Sequence, residues 1–516
     1  MMGMVAVLYL GAAAGLAVYG MVGWFTLWLF VRHRHKATSA ATPLAACAAP
    51  RVTVQLPLYN EPLVVERLID AVASLDYPRD RLQIQVLDDS TDRTTALARA
   101  RVRHHRTVGL DISLLHRTQR DGFKAGALQR GLGSAFGEFI AIFDADFHPQ
   151  PHFLLHVIPH LQQDPRLGMV QTRWGHLNAG YNALTRAQAI ALDKHFAVEQ
   201  LVRHQADLFP RFNGSGGVWR QRCLVEVGGW QGDTVCEDLD VSIRAQLAGW
   251  RFRFLPEEVS PAELPPHLTA YKMQQARWAK GSLQCVLKYG RAILRSQQHT
   301  MAARLYALIS MTGYTAHLLL LAMLLLLPLL LLDGYRFSPF LAAFGLAGIA
   351  QPLLFVLSQR VLFRDWGRRT LTGLPALALI AVGLAPSNAL AIWKALARRP
   401  AVFDRTPKYN QVSLPGGCWS AYPMPSVVGS GRNHLALCEA SLTVYALLGA
   451  GVALARGSWG SLPFLLLCAG GLGYTAVMGF RETRVRGRRL PRGTETRKRT
   501  LSKRQDWRTA IAREDG

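Results

Sequence analysis

Acidic residues stand where two of the predicted strands end. "LDDS" places Asp88 and Asp89 after one strand, and "FDADF" places Asp144 and Asp146 after another. Carboxylates two residues apart in extended backbone point the same way, so Asp144 and Asp146 can share one hard cation and leave positions for phosphate. The pattern predicts a metal and diphosphate site, and its structural alternative is turn formation and helix capping.

Two predicted helix starts carry further polar groups. "RDGFKAGAL" puts Lys124 at the mouth of a helix, where an ammonium and backbone N–H groups suit a phosphate. "CEDLD" opens another helix with Glu237 and Asp238. Acids in a first turn commonly offset the helix dipole, but a carboxylate that faces the strand ends can also take a proton from a hydroxyl.

A third stretch, "YKMQQARWAKGS", lies just before a long run of leucine. Its Gln274 can bond hydroxyls or phosphate, and Arg277 can neutralise phosphate. The face of Trp278 can pack on a sugar ring. The stretch therefore predicts a place where a sugar and a phosphate meet beside a membrane.

Strands and helices alternate around these motifs. Strands are predicted at "RVTVQLPLY", "LQIQVL", "DISLLH" and "EFIAIF". Between them we expect a helix opened by Asn60 and Glu61 and running to about Leu75, a helix over "TTALARARVRHH", and a helix from about Ala125 to Ala135. This order predicts a mostly parallel sheet with helices on both faces, which binds ligands beyond the carboxyl ends of its strands.

The remaining sequence has the composition of a membrane protein. Half of the 516 residues are hydrophobic, and the formal net charge is +25. Met1 to Val31 contains no charged residue and is followed by "RHRHK", which predicts an uncleaved anchor whose basic end is cytoplasmic. Five later apolar runs are candidate spans: 305–332, 340–357, 371–392, 435–454 and 462–478.

The basic segments constrain the topology. If every run spans, the basic loop 394–408 lies outside, against the positive-inside rule, so we expect 371–392 to be re-entrant or interfacial. The tail from Arg481 carries 13 Lys/Arg against 5 Asp/Glu, a net charge of +8, and belongs near anionic lipid. The seven cysteines form no Cys-x-x-Cys pair, no histidine cluster at metal spacing is evident, and reduced thiols are expected.

These features divide the chain into five predicted regions. They are an anchor (1–36), a cytoplasmic catalytic domain (51–266), interfacial helices (267–304), a transmembrane region with a cytoplasmic loop at 394–433 (305–480), and a cytoplasmic basic tail (481–516). We expect an integral, multi-pass protein of the cell or inner membrane.

Seven motifs in this order carry a family resemblance: "LPLYNE", "LDDSTD", "KAG", "DADF", "FNGSGGVWR", "CEDLD" and "QQARW". The chain resembles membrane-embedded family 2 glycosyltransferases, the cellulose, mannan and glucomannan synthase group, and is most similar to the mannan synthase-like branch. The resemblance implies an α/β, Rossmann-like GT-A domain inserted between transmembrane helices. It covers about 56–284 and extends more loosely through the membrane helices.

The resemblance also implies roles for individual residues. Asp238 would be the general base, and Asp144 and Asp146 would hold Mg²⁺ or Mn²⁺. Trp278 and Glu237 would bind the acceptor. The nucleotide sugar would be bound by Glu61, Asp88, Asp89, Lys124, Asp144, Gln274 and Arg277.

Two places depart from the family pattern. Cys236 stands where the family's third acidic motif usually has Thr, which can alter local packing without removing Glu237 or Asp238. "FDRTPK" (403–408) resembles, with considerable divergence, the segment that gates cellulose synthases, and a plain cytoplasmic loop is the alternative.

The expected activity is inverting transfer of a hexose from UDP-glucose or GDP-mannose to a growing β-glycan, processive and coupled to export. A transferase that adds one sugar to a ceramide or diacylglycerol remains the alternative. A transporter is disfavoured because the apolar runs hold almost no ionisable residues, and an oxidoreductase because "GLGSAFG" precedes a strand. The basic charge lies at membrane edges and in the tail, so no nucleic acid is expected, and a partner subunit remains open.

Overall fold

The structure is a computed structural model that describes residues 2–34, 49–337, 342–397, 405–411 and 432–487. The predicted basic tail beyond residue 487 lies outside the described residues. So do most of the predicted loop 394–433, Cys47 and Cys418. The five cysteines within the described ranges are free thiols.

One seven-stranded sheet organises the described part of the catalytic domain. Its strands are β1 (Val52–Leu58), β2 (Leu82–Asp88), β3 (Asp111–His116), β4 (Phe139–Ile142), β5 (Leu167–His176), β6 (Gly217–Arg220) and β7 (Arg251–Ala262). The order is β3-β2-β1-β4-β6-β5-β7, and β6 is antiparallel to both of its neighbours. The other four pairings are parallel, so the prediction of a mostly parallel sheet is confirmed.

Helices cover the sheet and differ from the predicted ones mainly at their ends. They are Val65–Ala73, Thr94–Thr107, Phe123–Leu132, Phe153–Gln163, Ala183–Lys194, Leu201–Gln205, Gln221–Glu226 and Glu237–Leu247. The predicted start at Asn60 is wrong, because Asn60 adopts φ 54° and its Oδ1 accepts a hydrogen bond from Thr91 N at 2.8 Å. The helix that carries Lys124 starts and ends two to three residues earlier than 125–135.

The core explains why the central strands read as continuous apolar runs. All seven residues of β1 and all four of β4 are buried, because both strands lie inside the sheet with helices on each face. Full burial of each Val, Leu or Ile there stabilises the fold by about 1.5–3 kcal/mol relative to exposure. This rigid centre holds the loops that follow β1, β2 and β4 at one edge.

The described residues include five helices long and apolar enough to cross a membrane. They are Met2–His33, Gly313–Leu332, Phe344–Leu362, His434–Ala455 and Trp459–Glu482. A sixth candidate is the pair Trp366–Gly383 and Ala385–Leu396, which is bent by 44° and has the geometry of a broken span or a re-entrant loop. The chain is a membrane protein, and its orientation in the bilayer stays a prediction.

One long helix, Leu268–Arg295, joins the sheet domain to the membrane helices and is called here the interface helix. Lys272 on this helix forms a buried ion pair with Glu439 of the span His434–Ala455, with Nζ–Oε1 at 2.6 Å. The Glu482 carboxylate accepts hydrogen bonds from Leu268 N at 2.8 Å and Thr269 N at 3.0 Å. Two late membrane helices therefore hold the start of the interface helix.

Candidate active site

A cavity of about 480 Å³ lies between the carboxyl ends of the parallel strands and the interface helix. Of the eleven site residues that the sequence predicted, ten line it: Glu61, Asp89, Lys124, Asp144, Asp146, Glu237, Asp238, Gln274, Arg277 and Trp278. The structure thus brings six separate stretches of sequence to one space.

Asp88 is the predicted residue that the structure places elsewhere. Its side chain is fully buried beneath the cavity, and its oxygens accept hydrogen bonds from Thr95 Oγ1 at 2.6 Å, His116 Nδ1 at 2.9 Å and Ser90 N at 3.0 Å. These bonds hold the turn after β2. Asp88 therefore positions the neighbouring Asp89 and does not itself face a ligand.

Asp89 is held rigidly at the cavity wall. Arg117 donates from Nε to one Asp89 oxygen at 2.7 Å and from Nη2 to the other at 2.6 Å, a bidentate pair. Next to it, the Arg120 guanidinium lies 3.4 Å from the centre of the Tyr59 ring. This combination of a planar cation, an aromatic ring and an oriented carboxylate can bind a nucleobase.

Asp144 and Asp146 lie in a turn just beyond β4, not in the extended backbone that the sequence argument assumed. Both still line the cavity. Lys124 Nζ lies 2.7 Å from Asp144 Oδ1, and Lys408 Nζ lies 2.5 Å from Asp146 Oδ2. Asp146 Oδ1 is buried without a hydrogen-bond partner, which fits a carboxylate that ligates a cation. The donor set is the all-oxygen type that Mg²⁺ and Mn²⁺ prefer.

A short segment from the membrane half, residues 405–411, crosses this region and is called here the strap. Arg405 Nη1 lies 3.4 Å from Glu61 Oε1. Tyr409 N donates to Glu263 Oε1 at 2.8 Å, and Arg67 donates to Asn410 Oδ1 at 2.6 Å. Burial raises the pKa of Glu61 to about 7 even though Arg405 and the strap's Lys408 act in the opposite direction. The strap thus places two cations on residues predicted to bind the nucleotide and the metal.

Asp238 lies in the first turn of the helix Glu237–Leu247 and lines the cavity. Burial, followed by the charge of Glu237, raises the pKa of Asp238 to about 7, and Lys124 acts in the opposite direction. Lys124 Nζ lies 3.3 Å from Glu237 Oε1 and donates to the Gly214 carbonyl at 2.9 Å. A buried carboxylate with a pKa near neutrality has the properties of a general base.

The interface helix forms the roof of the cavity. Gln274, Arg277 and Trp278 face inward, and Trp278 also packs against the apolar cluster that includes Cys236. Gly281, one turn later, lies so close to Cys236 that a Cβ at this position would overlap its thiol and its backbone N. The cysteine in the third acidic motif therefore serves the tight packing of the helix that carries Asp238 against the roof.

Several cavity residues escaped the sequence analysis. The helix Ala183–Lys194 continues through a π-helical turn, His195–Gln200, into Leu201–Gln205. Members of this segment line the cavity together with residues from the loop before β6 and from the membrane half: Lys194, His195, Glu199, Arg203, Arg211, Asn213, Ser310 and Tyr314. The signal available in the sequence was the set of charged residues in "DKHFAVEQLVRH". The π turn that brings them together, a feature frequently found at functional sites, is seen only in the structure.

These residues divide the cavity surface in two. We call Glu61, Asp89, Lys124, Asp144 and Asp146 the sheet wall. We call Lys194, His195, Glu199, Arg211 and Tyr314 the membrane wall. Asp238 and Trp278 lie where the two meet.

A second group of possible metal ligands lies on the surface. His152, His156 and Glu258 offer ligand atoms within 4.8 Å of one another, with His156 Nδ1 2.7 Å from Glu258 Oε1. The expectation that no histidine cluster stands at metal spacing is therefore wrong, since His152 and His156 are four residues apart. The group does not line the cavity.

Comparison with known proteins agrees with this geometry. Residues 50–281 match the family model described as "Glycosyltransferase like family 2". A probable glucomannan 4-beta-mannosyltransferase 3 from Oryza sativa subsp. japonica is 39% identical over 300 residues, which are 54% of each chain. Glucomannan 4-beta-mannosyltransferase 7 from Arabidopsis thaliana is 39% identical over 277 residues, 52% of this chain and 50% of its own. The chain spans about half the length of the curated relatives it matches.

A solved structure shares the fold. A mannosyltransferase from Pyrobaculum calidifontis, in complex with GDP-Man and Mn²⁺, has a TM-score of 0.51 and 23% identity, and the match covers 77% of this chain and all of that one. Its likeness, together with the mixed, mostly parallel sheet, confirms the predicted GT-A-type fold flanked by apolar helices. Residues 50–281 form this GT-A-type domain, and they are similar to the family 2 glycosyltransferases.

Proposed function

We propose that this protein transfers a hexose from GDP-mannose or UDP-glucose to the end of a growing β-linked glycan. The observation that carries the proposal is the convergence of ten predicted residues on one cavity between the sheet and the membrane helices. The similarity to plant glucomannan 4-beta-mannosyltransferases supports a β-mannan or β-glucan product.

The two sides of the cavity divide the work of transfer. On the sheet wall, Asp89 and the Arg120–Tyr59 pair bind the base, and Lys124 binds the diphosphate. Asp144 and Asp146 would hold Mg²⁺ or Mn²⁺, which neutralises the charge of the leaving diphosphate when bound. The Pyrobaculum mannosyltransferase, which was solved with GDP-Man and Mn²⁺, supports a nucleotide sugar and a divalent cation as the ligands.

Asp238 takes the proton from the attacking hydroxyl. Asp238 lines the cavity, and Leu239 N donates to its Oδ1 at 2.8 Å, which fixes the orientation of the carboxylate. Attack from the side opposite the diphosphate inverts the anomeric carbon and gives a β-glycoside from an α-linked donor. Trp278 supplies the ring face on which the acceptor sugar rests, and Gln274 and Arg277 close the donor side.

The membrane helices give the product a route out. The cavity reaches Tyr314 near the start of the span Gly313–Leu332, so a glycan that grows at Asp238 has its older end directed at the membrane helices. We place the catalytic domain in the cytoplasm, with the basic end of the first helix inside. Synthesis would then be processive and coupled to export.

The same contact with the span favours one alternative. A lipid acceptor such as a ceramide or diacylglycerol could present its hydroxyl at Tyr314 from the bilayer, and one transfer would complete the reaction. The sheet wall would act identically in both cases.

The deciding experiment uses the full chain in nanodiscs with Mn²⁺ or Mg²⁺ and labelled GDP-mannose or UDP-glucose supplied separately. The product is sized before and after digestion by linkage-specific glycanases. A long glycanase-sensitive product from one donor supports the synthase and names its sugar. A short product that extracts only with lipid contradicts the synthase and supports the alternative.

A further inference from the structure

The membrane wall contains a buried network of charges that the reaction described above does not use. Glu199 Oε1 lies 2.7 Å from Lys194 Nζ, and its Oε2 lies 3.2 Å from His195 Nδ1 and 3.5 Å from Arg203 Nη2. Burial alone would raise the pKa of Glu199, but the neighbouring cations, Lys194 first, hold it well below its ordinary value. Glu199 is therefore a carboxylate at neutral pH.

The π turn is what brings this network together. Lys194 and Glu199 are five residues apart, a spacing that places two side chains on one face in a π helix and not in an α helix. Lys194, His195 and Glu199 keep between 15% and 22% of their side chains exposed, and all three line the cavity. The exposed fraction therefore faces the substrate space.

Hydrogen bonds connect the network to the surroundings of the general base. Gln200 Nε2 donates to Asn213 Oδ1 at 2.9 Å, which orients the amide so that Asn213 Nδ2 donates to His195 Nε2 at 2.9 Å. His195 is thus neutral, with its remaining proton on Nδ1 toward Glu199. The next residue, Gly214, lies against Asp238, whose Oδ2 would be 3.1 Å from a Cβ at this glycine. Glu199 is therefore connected, through His195 and Asn213, to the residue that lies against Asp238.

Arg211 completes this surface with an unusual cation. Burial lowers its pKa to about 9, and its guanidinium donates to Ser310 Oγ at 2.8 Å. In the described part of the chain, no carboxylate lies within 4.0 Å of it. A guanidinium has five N–H donors, so most of the hydrogen-bonding capacity of Arg211 is available to a ligand.

We propose that Glu199 and Arg211 bind the hydroxyl groups of the acceptor sugar, which makes the membrane wall a carbohydrate subsite. The inference rests on the proposed function and specifies its acceptor. Charged groups of both signs serve a ring of hydroxyls as acceptor and as donor, through charge-assisted hydrogen bonds. An acyl chain in the same space would leave most N–H groups of Arg211 without acceptors, at a large cost.

The test compares donor and acceptor steps in the same protein. The full chain in nanodiscs with Mn²⁺ is assayed for GDP-mannose and UDP-glucose binding, for donor hydrolysis without acceptor, and for transfer to added manno- and cello-oligosaccharides. The variants are Glu199→Gln and the milder Arg211→Lys, which keeps the charge but loses the planar fork. Glu226→Gln, which removes an exposed carboxylate paired with Arg222, is the matched control.

We expect both variants to raise the acceptor KM by about tenfold or more, while donor affinity and donor hydrolysis stay within about threefold of the parent. An unchanged acceptor KM overturns the subsite. So does a loss of donor affinity, in both variants, as large as the rise in acceptor KM. If the parent protein forms no sugar–sugar bond with either donor, the proposed function itself fails. That outcome is distinguishable because it requires no variant.

Discussion

The sheet wall and the membrane wall of the cavity are built by different rules. Carboxylates of the sheet wall stand on short loops directly after β1, β2 and β4, and each of Glu61, Asp89, Asp144 and Asp146 has a cation beside it. The membrane wall stands on an interrupted helix, on the loop before β6 that carries Arg211, and on Tyr314 of the membrane half. Under the proposed function, one wall is prepared for a charged diphosphate and a metal, whereas the other presents mixed hydrogen-bonding groups to a neutral sugar.

The largest expected effect comes from removing the base between the walls. Asp238→Asn keeps the shape of the side chain but cannot accept the proton, so we expect kcat to fall about 10²–10⁴-fold. Donor affinity, measured by titration with GDP-mannose or UDP-glucose, should change little because the sheet wall is intact. Asp233→Asn, an exposed carboxylate on the loop before the same helix, should keep full activity. If Asp238→Asn weakened donor binding as much as it lowered kcat, Asp238 would belong to the sheet wall.

Trp278→Ala should produce the next largest effect. We expect transfer to fall by about tenfold, because stacking on the acceptor sugar is worth about a kilocalorie per mole, while nucleotide binding changes less than transfer does. Trp393→Ala, at a tryptophan that is 65% exposed, is the control. Because Trp278 also packs against the Cys236 cluster, loss of nucleotide binding would make it a core residue and would remove it from the acceptor side.

The pH dependence of transfer tests whether Asp238, between the two walls, is the general base. Asp238 must be a carboxylate to act, and its pKa is raised to about 7, so kcat/KM should fall about tenfold per pH unit below that value and level off above it. The raised pKa also means that the folded state favours the proton, so this group's contribution to stability declines as the pH rises through 7. A flat profile between about pH 5.5 and 8 would contradict the base assignment.

The smallest effect concerns the strap. Lys408 occupies an oxygen of Asp146, so Lys408→Gln should tighten Mn²⁺ binding to the donor-free protein by about threefold. Free Mn²⁺ can be followed by electron paramagnetic resonance, with Lys394→Gln at an exposed lysine as the control. Weaker Mn²⁺ binding would mean that Lys408 supports the metal site and does not compete with it.

The two walls also differ in how far the sequence predicted them. The sheet wall was predictable because its residues follow strands, and parallel strands bring their carboxyl ends to one edge. The error at Asp88 has a local cause, since two adjacent residues at a strand end face opposite sides and only Asp89 reaches the cavity. Asp144 and Asp146 lie in a turn and not in the extended backbone that was predicted, yet both still line the cavity.

The membrane wall and the strap could not be predicted in the same way. Lys194 and Glu199 meet only because of a π turn, and α-helical spacing gives no reason to pair them. The strap contacts Arg67 and Glu61 across more than 340 residues of sequence, with Arg67 and Asn410 separated by 343 positions. Such contacts depend on where the membrane helices return the chain, and local periodicity carries no information about that.

The bonds that hold the interface helix bear on the order in which the enzyme is made. Residues 50–281 leave the ribosome long before Glu439 and Glu482, and domains generally fold as they emerge. Until those two acids arrive, Lys272 lacks its buried partner, and the N–H groups of Leu268 and Thr269 lack their acceptor. The roof that carries Gln274, Arg277 and Trp278 is therefore anchored last. Under the proposed function, a nascent chain acquires sugar transfer only after its final membrane helices are in place, so synthesis begins when the proposed exit route exists.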